Sequence, residues 1–142
     1  MESFVNLSIK KKGILGQQKN NINILLVEDD YVSQLIISGM CKIAKWNLFV
    51  ASSGREALKI LESKDFNIIL MDIQMHEMSG IEVAKVIRED EQLTGEHIPI
   101  IATTAFSTNQ DKLDVINGGM DAYINKPIDL AKLEQLILEY AK

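Results

Sequence analysis

Five short apolar runs alternate with longer segments of helical periodicity, and this alternation limits the chain to few folds. The runs span residues 24–27, 48–51, 68–71, 98–102 and 122–124. Their apolar residues follow one another instead of alternating with polar ones, which is typical of parallel strands covered on both faces. The segments between them carry apolar residues at the spacing of an amphipathic helix. The pattern predicts an α/β, doubly wound domain with a five-stranded parallel sheet, five helices and right-handed crossovers.

Residues that commonly cap helices stand at the start of the helical segments. Ser53 and Ser79 are each followed three residues later by a glutamate, Glu56 and Glu82, as in a capping box. The glycines at 118–119 are predicted to end the fourth helix. We predict further N-caps at Asp30, Thr108 and Asp129.

The 142 residues divide into a short N-terminal segment and one domain. Residues 1–21 show no sustained periodicity, and we interpret them as an extension or linker. Residues 22–142 are long enough to bury the core of one domain. The net charge of the chain is −5. Residues 1–21 contain four lysines and one glutamate and so carry a charge of +3, which leaves a charge of −8 on the domain. A domain with this negative charge repels nucleic acid and anionic lipid. We therefore expect neither as a partner.

The chain carries no signal for membrane insertion or export. Its apolar stretches are much shorter than the roughly 20 residues that a membrane-spanning helix needs, and lysines at 10–12 interrupt any secretory signal. We therefore predict a cytoplasmic protein whose domain makes no membrane contact. Cys41 lies among apolar residues and is predicted to be a buried structural residue rather than a redox group.

Polar residues follow four of the five predicted strands, where sites of doubly wound sheets lie. The motifs are Glu28-Asp29-Asp30, Asp72, Thr103-Thr104-Ala105 and Asn125-Lys126-Pro127. Carboxylates gathered at one edge repel one another unless a cation neutralises them, and oxygen ligands favour Mg²⁺. From its position alone, Asp72 is either a solvated residue at the end of a strand or a nucleophile, and the sequence does not decide between the two. The bond between Lys126 and Pro127 is a candidate for the cis form.

In these motifs the chain resembles the receiver domains of two-component response regulators, the CheY-like family. The likeness covers residues 23–140, and the Met-Asp-Ile-Gln-Met segment at 71–75 is most similar to receivers of hybrid histidine kinases. The resemblance implies a flavodoxin-like, three-layer fold with strand order 2-1-3-4-5. It also implies that a histidine kinase or a histidine phosphotransfer domain is the partner, in a phosphorelay.

The resemblance assigns a role to each motif residue. Asp72 is the expected phosphoacceptor, with Thr104 and Lys126 holding phosphoryl oxygens. Thr104 and Tyr123 form the expected switch pair, on a face of helix four, strand five and helix five through which a dimer would form. The expected Mg²⁺ ligands are Asp72, Asp29, Glu28 (through water) and the backbone carbonyl of Gln74.

The family pattern is not matched everywhere. Four residues after the phosphoacceptor, where the family usually has proline, this chain has His76. We expect this histidine to alter the geometry of the loop rather than to act in catalysis. The segment 92–97 is also longer than a minimal connection.

Three other functions are weaker candidates. An enzyme with an aspartyl-phosphate intermediate, of the haloacid-dehalogenase type, needs a second aspartate at the position of Gln74. A flavin or nucleotide binder needs a phosphate loop where Glu28, Asp29 and Asp30 would repel a phosphate. A degenerate receiver, acting only as a phosphorylation-independent interaction module, would have lost the acids, the lysine or the threonine. We therefore predict a signalling domain that catalyses only its own phosphorylation and slow dephosphorylation.

Overall fold

The computed structural model describes residues 21–105 and 108–141, so the predicted extension at residues 1–21 lies almost wholly outside it. Strands β1 to β5 are Asn23–Val27, Asn47–Ala51, Ile68–Asp72, Ile100–Thr104 and Ala122–Asn125. Helices α1 to α5 are Tyr31–Ala44, Gly54–Leu61, Gly80–Thr94, Asn109–Asn117 and Leu130–Tyr140. Each strand is followed by a helix, as the alternation in the sequence predicts.

The five strands form one parallel sheet in the order β2-β1-β3-β4-β5, which confirms the expected strand order. One apolar cluster, with Ile37 and Leu133, packs α1 and α5 on one face of the sheet. A second cluster, with Ala57, Val83 and Val115, packs α2, α3 and α4 on the other face. Because β3 lies between β1 and β4, all its residues are buried. The result is the predicted three-layer, doubly wound domain.

Two strands differ from the expectation. The fourth strand begins at Ile100 rather than at residue 98, because the N–H of Ile98 donates to Glu91 Oε2 (2.6 Å) and Pro99 has no N–H to give. The second strand is not covered on both faces. It forms an edge of the sheet, where exposed and partly buried residues alternate and Phe49 is 39% exposed.

The predicted caps are present at the helix starts, with one difference. Ser79 and Glu82 form a complete capping box, whereas Ser53 accepts from the Glu56 N–H but Glu56 Oε1 accepts from the N–H of Ser52. That half of the box is shifted by one residue. The predicted N-caps at Asp30, Thr108 and Asp129 are confirmed.

Two further expectations concern single elements. The fourth helix ends at Asn117, directly before the glycines at 118–119, as predicted. Cys41 is buried in α1, and burial raises the pKa of its thiol to about 11, which agrees with a structural role. In the part of the chain that the structure describes, none of the helices has the length and apolar character needed to cross a membrane.

Candidate functional site

The carboxyl ends of β1 and β3 bring three carboxylates together at one edge of the sheet. Glu28 and Asp29 follow β1, and Asp72 is the last residue of β3. One oxygen from each of the three lies within 4.8 Å of the others. Glu28 and Asp72 are buried, whereas Asp29 is half-buried. We call these three residues the acidic triad.

Lys126 provides the positive charge of the site. It follows β5, and its bond to Pro127 is cis. Its Nζ lies 3.0 Å from Glu28 Oε1 and 3.3 Å from Asp72 Oδ1, so one ammonium group bridges two members of the acidic triad. The backbone N–H of Lys126 donates to the Thr104 carbonyl at 2.8 Å and thereby joins the ends of β5 and β4. The predicted convergence of Asp29, Asp72 and Lys126 at one edge is therefore present.

Burial and charge change the acid–base properties of both partners. Burial raises the pKa of Asp72 from 3.8 to about 6, and the adjacent Glu28 carboxylate adds to this rise. The Lys126 ammonium and the Gln74 N–H offset it in part. Burial alone would lower the pKa of Lys126, but the hydrogen bond and charge of Glu28 and the charge of Asp72 raise it overall.

The donor set fits a hard divalent cation. Among the described residues, three carboxylates meet the ammonium group of Lys126, and burial, together with the Glu28 charge, raises the pKa of Asp72. A small cation with all-oxygen ligation would remove the repulsion, and Mg²⁺ binds in this manner with few carboxylates and several waters. Glu28, Asp29 and Asp72 are the side chains that would hold it.

Gln74 contributes to the site through its backbone. Its N–H donates to Asp72 Oδ1 at 3.2 Å, which fixes the carboxylate together with Lys126, while its side chain is exposed. The expected role of its carbonyl as a metal ligand stays a prediction.

The two residues of the expected switch pair lie on neighbouring strands. Thr104 is the last residue of β4 and is buried, whereas Tyr123 of β5 is half-buried. Lys112 of α4 lies over the Tyr123 ring, 5.6 Å from its centroid. Tyr123 thus connects α4 with the strand that leads to Lys126.

Sequence reasoning missed two groups that order the site. Gln34 of α1 donates from Nε2 to the Glu28 carbonyl (2.7 Å) and to Ser52 Oγ (3.2 Å), and so ties α1 to the ends of β1 and β2. The backbone N–H of His76 donates to Asp29 Oδ2 at 3.0 Å. Neither contact is marked by a sequence motif. For His76, the only indication in the sequence was that the residue is not a proline and therefore has an N–H to donate.

The comparisons with known proteins agree with this fold and identify the family. The response regulator receiver domain family matches residues 24–138, most of the chain. The polar-differentiation response regulator DivK of Brucella ovis is 36% identical over 118 residues, which cover 83% of this chain and 94% of DivK. The chain belongs to the response regulator receiver domain family and is a receiver domain of two-component signalling.

Solved structures of receiver domains are similar over most of the chain. The receiver domain of the response regulator Ssk1 of Saccharomyces cerevisiae, in complex with the histidine phosphotransfer protein Ypd1, is 32% identical, with a TM-score of 0.79 and coverage of 85% of this chain and 89% of that one. The receiver domain of a sensor histidine kinase of Pseudomonas aeruginosa is 30% identical, with a TM-score of 0.77 and coverage of 84% and 97%. That structure has a magnesium ion coordinated in its active-site cleft.

Proposed function

We propose that Asp72 accepts a phosphoryl group from a phosphohistidine donor in a reaction that depends on Mg²⁺. The observation that carries this proposal is the position of Asp72. It is buried at the end of the central strand, between two carboxylates and the ammonium group of Lys126. This arrangement raises the energy of the carboxylate and places the Lys126 ammonium group where it can hold a phosphoryl oxygen.

The transfer requires Asp72 in its ionised form. An oxygen of Asp72 forms the new O–P bond, while the N–P bond of phosphohistidine breaks and the imidazole leaves with the electron pair. Lys126 and the Gln74 N–H hold Oδ1 and so orient the carboxylate for attack. Lys126, whose raised pKa keeps it charged, and the Thr104 hydroxyl then hold phosphoryl oxygens. A bound Mg²⁺ would neutralise charge on both reactants. Slow hydrolysis of the acyl phosphate resets the domain.

The exposed face of α1 supports docking of a histidine kinase or a histidine phosphotransfer domain. Five large apolar residues of α1 are more than half exposed: Tyr31, Val32, Leu35, Ile36 and Ile43. The first of them, Tyr31, lies two residues after Asp29 of the acidic triad in the chain, so a partner on this face can bring its histidine to Asp72. Exposed apolar patches commonly mark interaction sites. The Ssk1 receiver, with a similar fold, binds a histidine phosphotransfer protein.

The signal leaves through the face of α4, β5 and α5. Phosphorylation draws Thr104 toward the phosphoryl group and changes the packing of Tyr123, which contacts Lys112 of α4. Leu113 and Ile116 of α4 are 55% and 51% exposed and offer an apolar surface for a dimer or a cytoplasmic output partner.

Phosphorylation by a small phosphodonor tests the proposal. The protein is incubated with acetyl phosphate and Mg²⁺, and the attached phosphoryl group is detected by intact-protein mass spectrometry. We expect modification of the parent, none of Asp72→Asn, and none when EDTA removes the metal. Asp65→Asn, which removes an exposed carboxylate of the α2–β3 loop, is the control and should be modified like the parent. Equal modification of Asp72→Asn would refute the assignment.

A further inference from the structure

A backbone hydrogen bond connects the loop after β3 to Asp29 of the acidic triad. The loop comprises residues 73–79, and within it the His76 N–H donates to Asp29 Oδ2 at 3.0 Å. The two residues are 47 positions apart, and the imidazole of His76 is exposed to solvent. The contact comes from the main chain, so any residue except proline can make it.

We propose that the His76 N–H is a positioning group for the divalent-cation site, which it serves by holding the Asp29 carboxylate in place. The inference rests on the Mg²⁺-dependent function proposed above. An N–H that donates to a carboxylate makes a charge-assisted bond, and such a bond fixes the orientation of the side chain. The Oδ1 atom of Asp29 stays available for the cation. Groups that orient metal ligands in this way commonly change metal affinity by 10- to 100-fold when removed.

The loop holds the His76 N–H independently of Asp29. The N–H of Ile73 donates to the Thr103 carbonyl (3.2 Å), and the N–H of Gly80 donates to the Ile73 carbonyl (3.1 Å). Inside the loop, the N–H of Met78 donates to the His76 carbonyl at 2.7 Å. These bonds hold the loop backbone on both sides of residue 76. The position of the His76 N–H is therefore set by the loop, and the Asp29 carboxylate is oriented by bonding to it.

Each member of the acidic triad is held by a donor, and for Asp29 that donor is His76. Lys126 and the Asp30 N–H hold Glu28, and Lys126 and the Gln74 N–H hold Asp72. Among residues 21–105 and 108–141, the hydrogen-bond donor found on the Asp29 carboxylate is the His76 N–H. Asp29 is also the most exposed member of the triad, so it has the most freedom to lose when a cation binds.

Metal titration of two variants at position 76 tests the proposal. His76→Pro removes the N–H, whereas His76→Ala removes the imidazole and keeps the N–H. We expect Mg²⁺ affinity, measured by isothermal titration calorimetry, to fall about tenfold in His76→Pro and to stay at the parent value in His76→Ala. Unchanged or tighter binding in His76→Pro overturns the inference, and so does an equal loss in His76→Ala.

Amide hydrogen exchange in the metal-free protein provides a second test that does not depend on the proline variant folding. Residue 76 is exposed, so the bond to Asp29 should account for the protection of its amide. We expect Asp29→Ala to accelerate exchange at His76 about tenfold or more, with the Gly80 amide unchanged as the internal control. An amide of His76 that is already unprotected in the parent contradicts the proposal.

Phosphorylation separates this inference from the proposed function. If Asp72 is phosphorylated normally but the expected titration and exchange results are not obtained, the positioning role is wrong and the proposed function stands. If the parent binds no Mg²⁺, both fail.

Discussion

The burial of Asp72 makes its carboxylate reactive and also lowers the stability of the folded protein. Its side chain is buried next to Glu28, so the folded state favours the protonated form and the pKa rises from 3.8 to about 6. Lys126 and the Gln74 N–H offset only part of this rise. A carboxylate in this environment gains from any cation or bond that reduces its charge. This is the physical basis for both metal binding and phosphoryl transfer at this site.

The stability of the metal-free protein should therefore depend on the charge of Asp72. Because the pKa is raised on folding, the folded state binds the proton more tightly, and the unfolding free energy falls as pH rises from about 4 to about 6. Asp72→Asn avoids this loss. We expect it to be more stable than the parent above pH 6, by on the order of 2 kcal/mol, and the difference to shrink as pH falls toward 4.

Urea unfolding without metal, at intervals between pH 4 and pH 8, measures this difference. Asp65→Asn removes an exposed negative charge and serves as the control for net charge. If the difference in stability between Asp72→Asn and the parent does not change with pH, folding does not raise the pKa of the Asp72 carboxyl group.

At the scale of the element, the first turn of α3 is built against the phosphoacceptor strand. Gly80 begins the helix, and its N–H donates to the Ile73 carbonyl at 3.1 Å. A Cβ at this position would overlap the carbonyl oxygen of Asp72 and press on Met71 Cγ. A backbone atom cannot move aside as a flexible side chain can. The close approach of α3 to β3 therefore requires glycine at position 80.

Two glycine-to-alanine substitutions in helices should have opposite effects. Gly80→Ala must displace α3 or the end of β3, and we expect it to lower the unfolding free energy by about 3 kcal/mol. Gly39 lies on the exposed face of α1 with nothing near the added methyl group, so Gly39→Ala should stabilise the protein by about 1 kcal/mol. Denaturant unfolding of both variants measures the two effects. A neutral Gly80→Ala would contradict the close packing.

The elements also show where local sequence is sufficient and where it is not. The caps at Ser79 and Asp129 were predictable because the partners lie within three residues. The start of β4 was placed two residues too early, because an apolar run does not show that the Ile98 N–H donates to Glu91, seven residues earlier in the chain. The exposed face of β2 was not predicted either, since an apolar run does not reveal whether its strand lies at the edge of the sheet.

At the scale of the whole molecule, two apolar clusters form the core of the part of the chain that the structure describes. Both clusters are formed by residues between Ile22 and Ala141. The domain boundary near residue 22 and the role of the preceding segment both stay predictions. The two clusters lie on opposite faces of the sheet, so the site at its edge is supported from both sides.

Removal of residues 1–20 should leave the domain intact. We expect the truncated chain to keep the melting temperature of the parent and to accept a phosphoryl group from acetyl phosphate at the same rate. Differential scanning calorimetry and the mass-spectrometric assay check the two outcomes. A clear fall in melting temperature would mean that the N-terminal segment packs on the domain.

The sequence by itself determined the order and type of the elements, most of the helix caps, and the presence of acids, a threonine and a lysine at the ends of four of the five strands. These features depend on residues close together in the chain and on general rules for parallel sheets. Only the tertiary structure decided which carboxylates are buried, that Lys126 bridges Glu28 and Asp72, and that the His76 N–H reaches Asp29. The partners in these contacts are 47 to 98 residues apart. Their distances follow from how the layers pack, which no local pattern encodes.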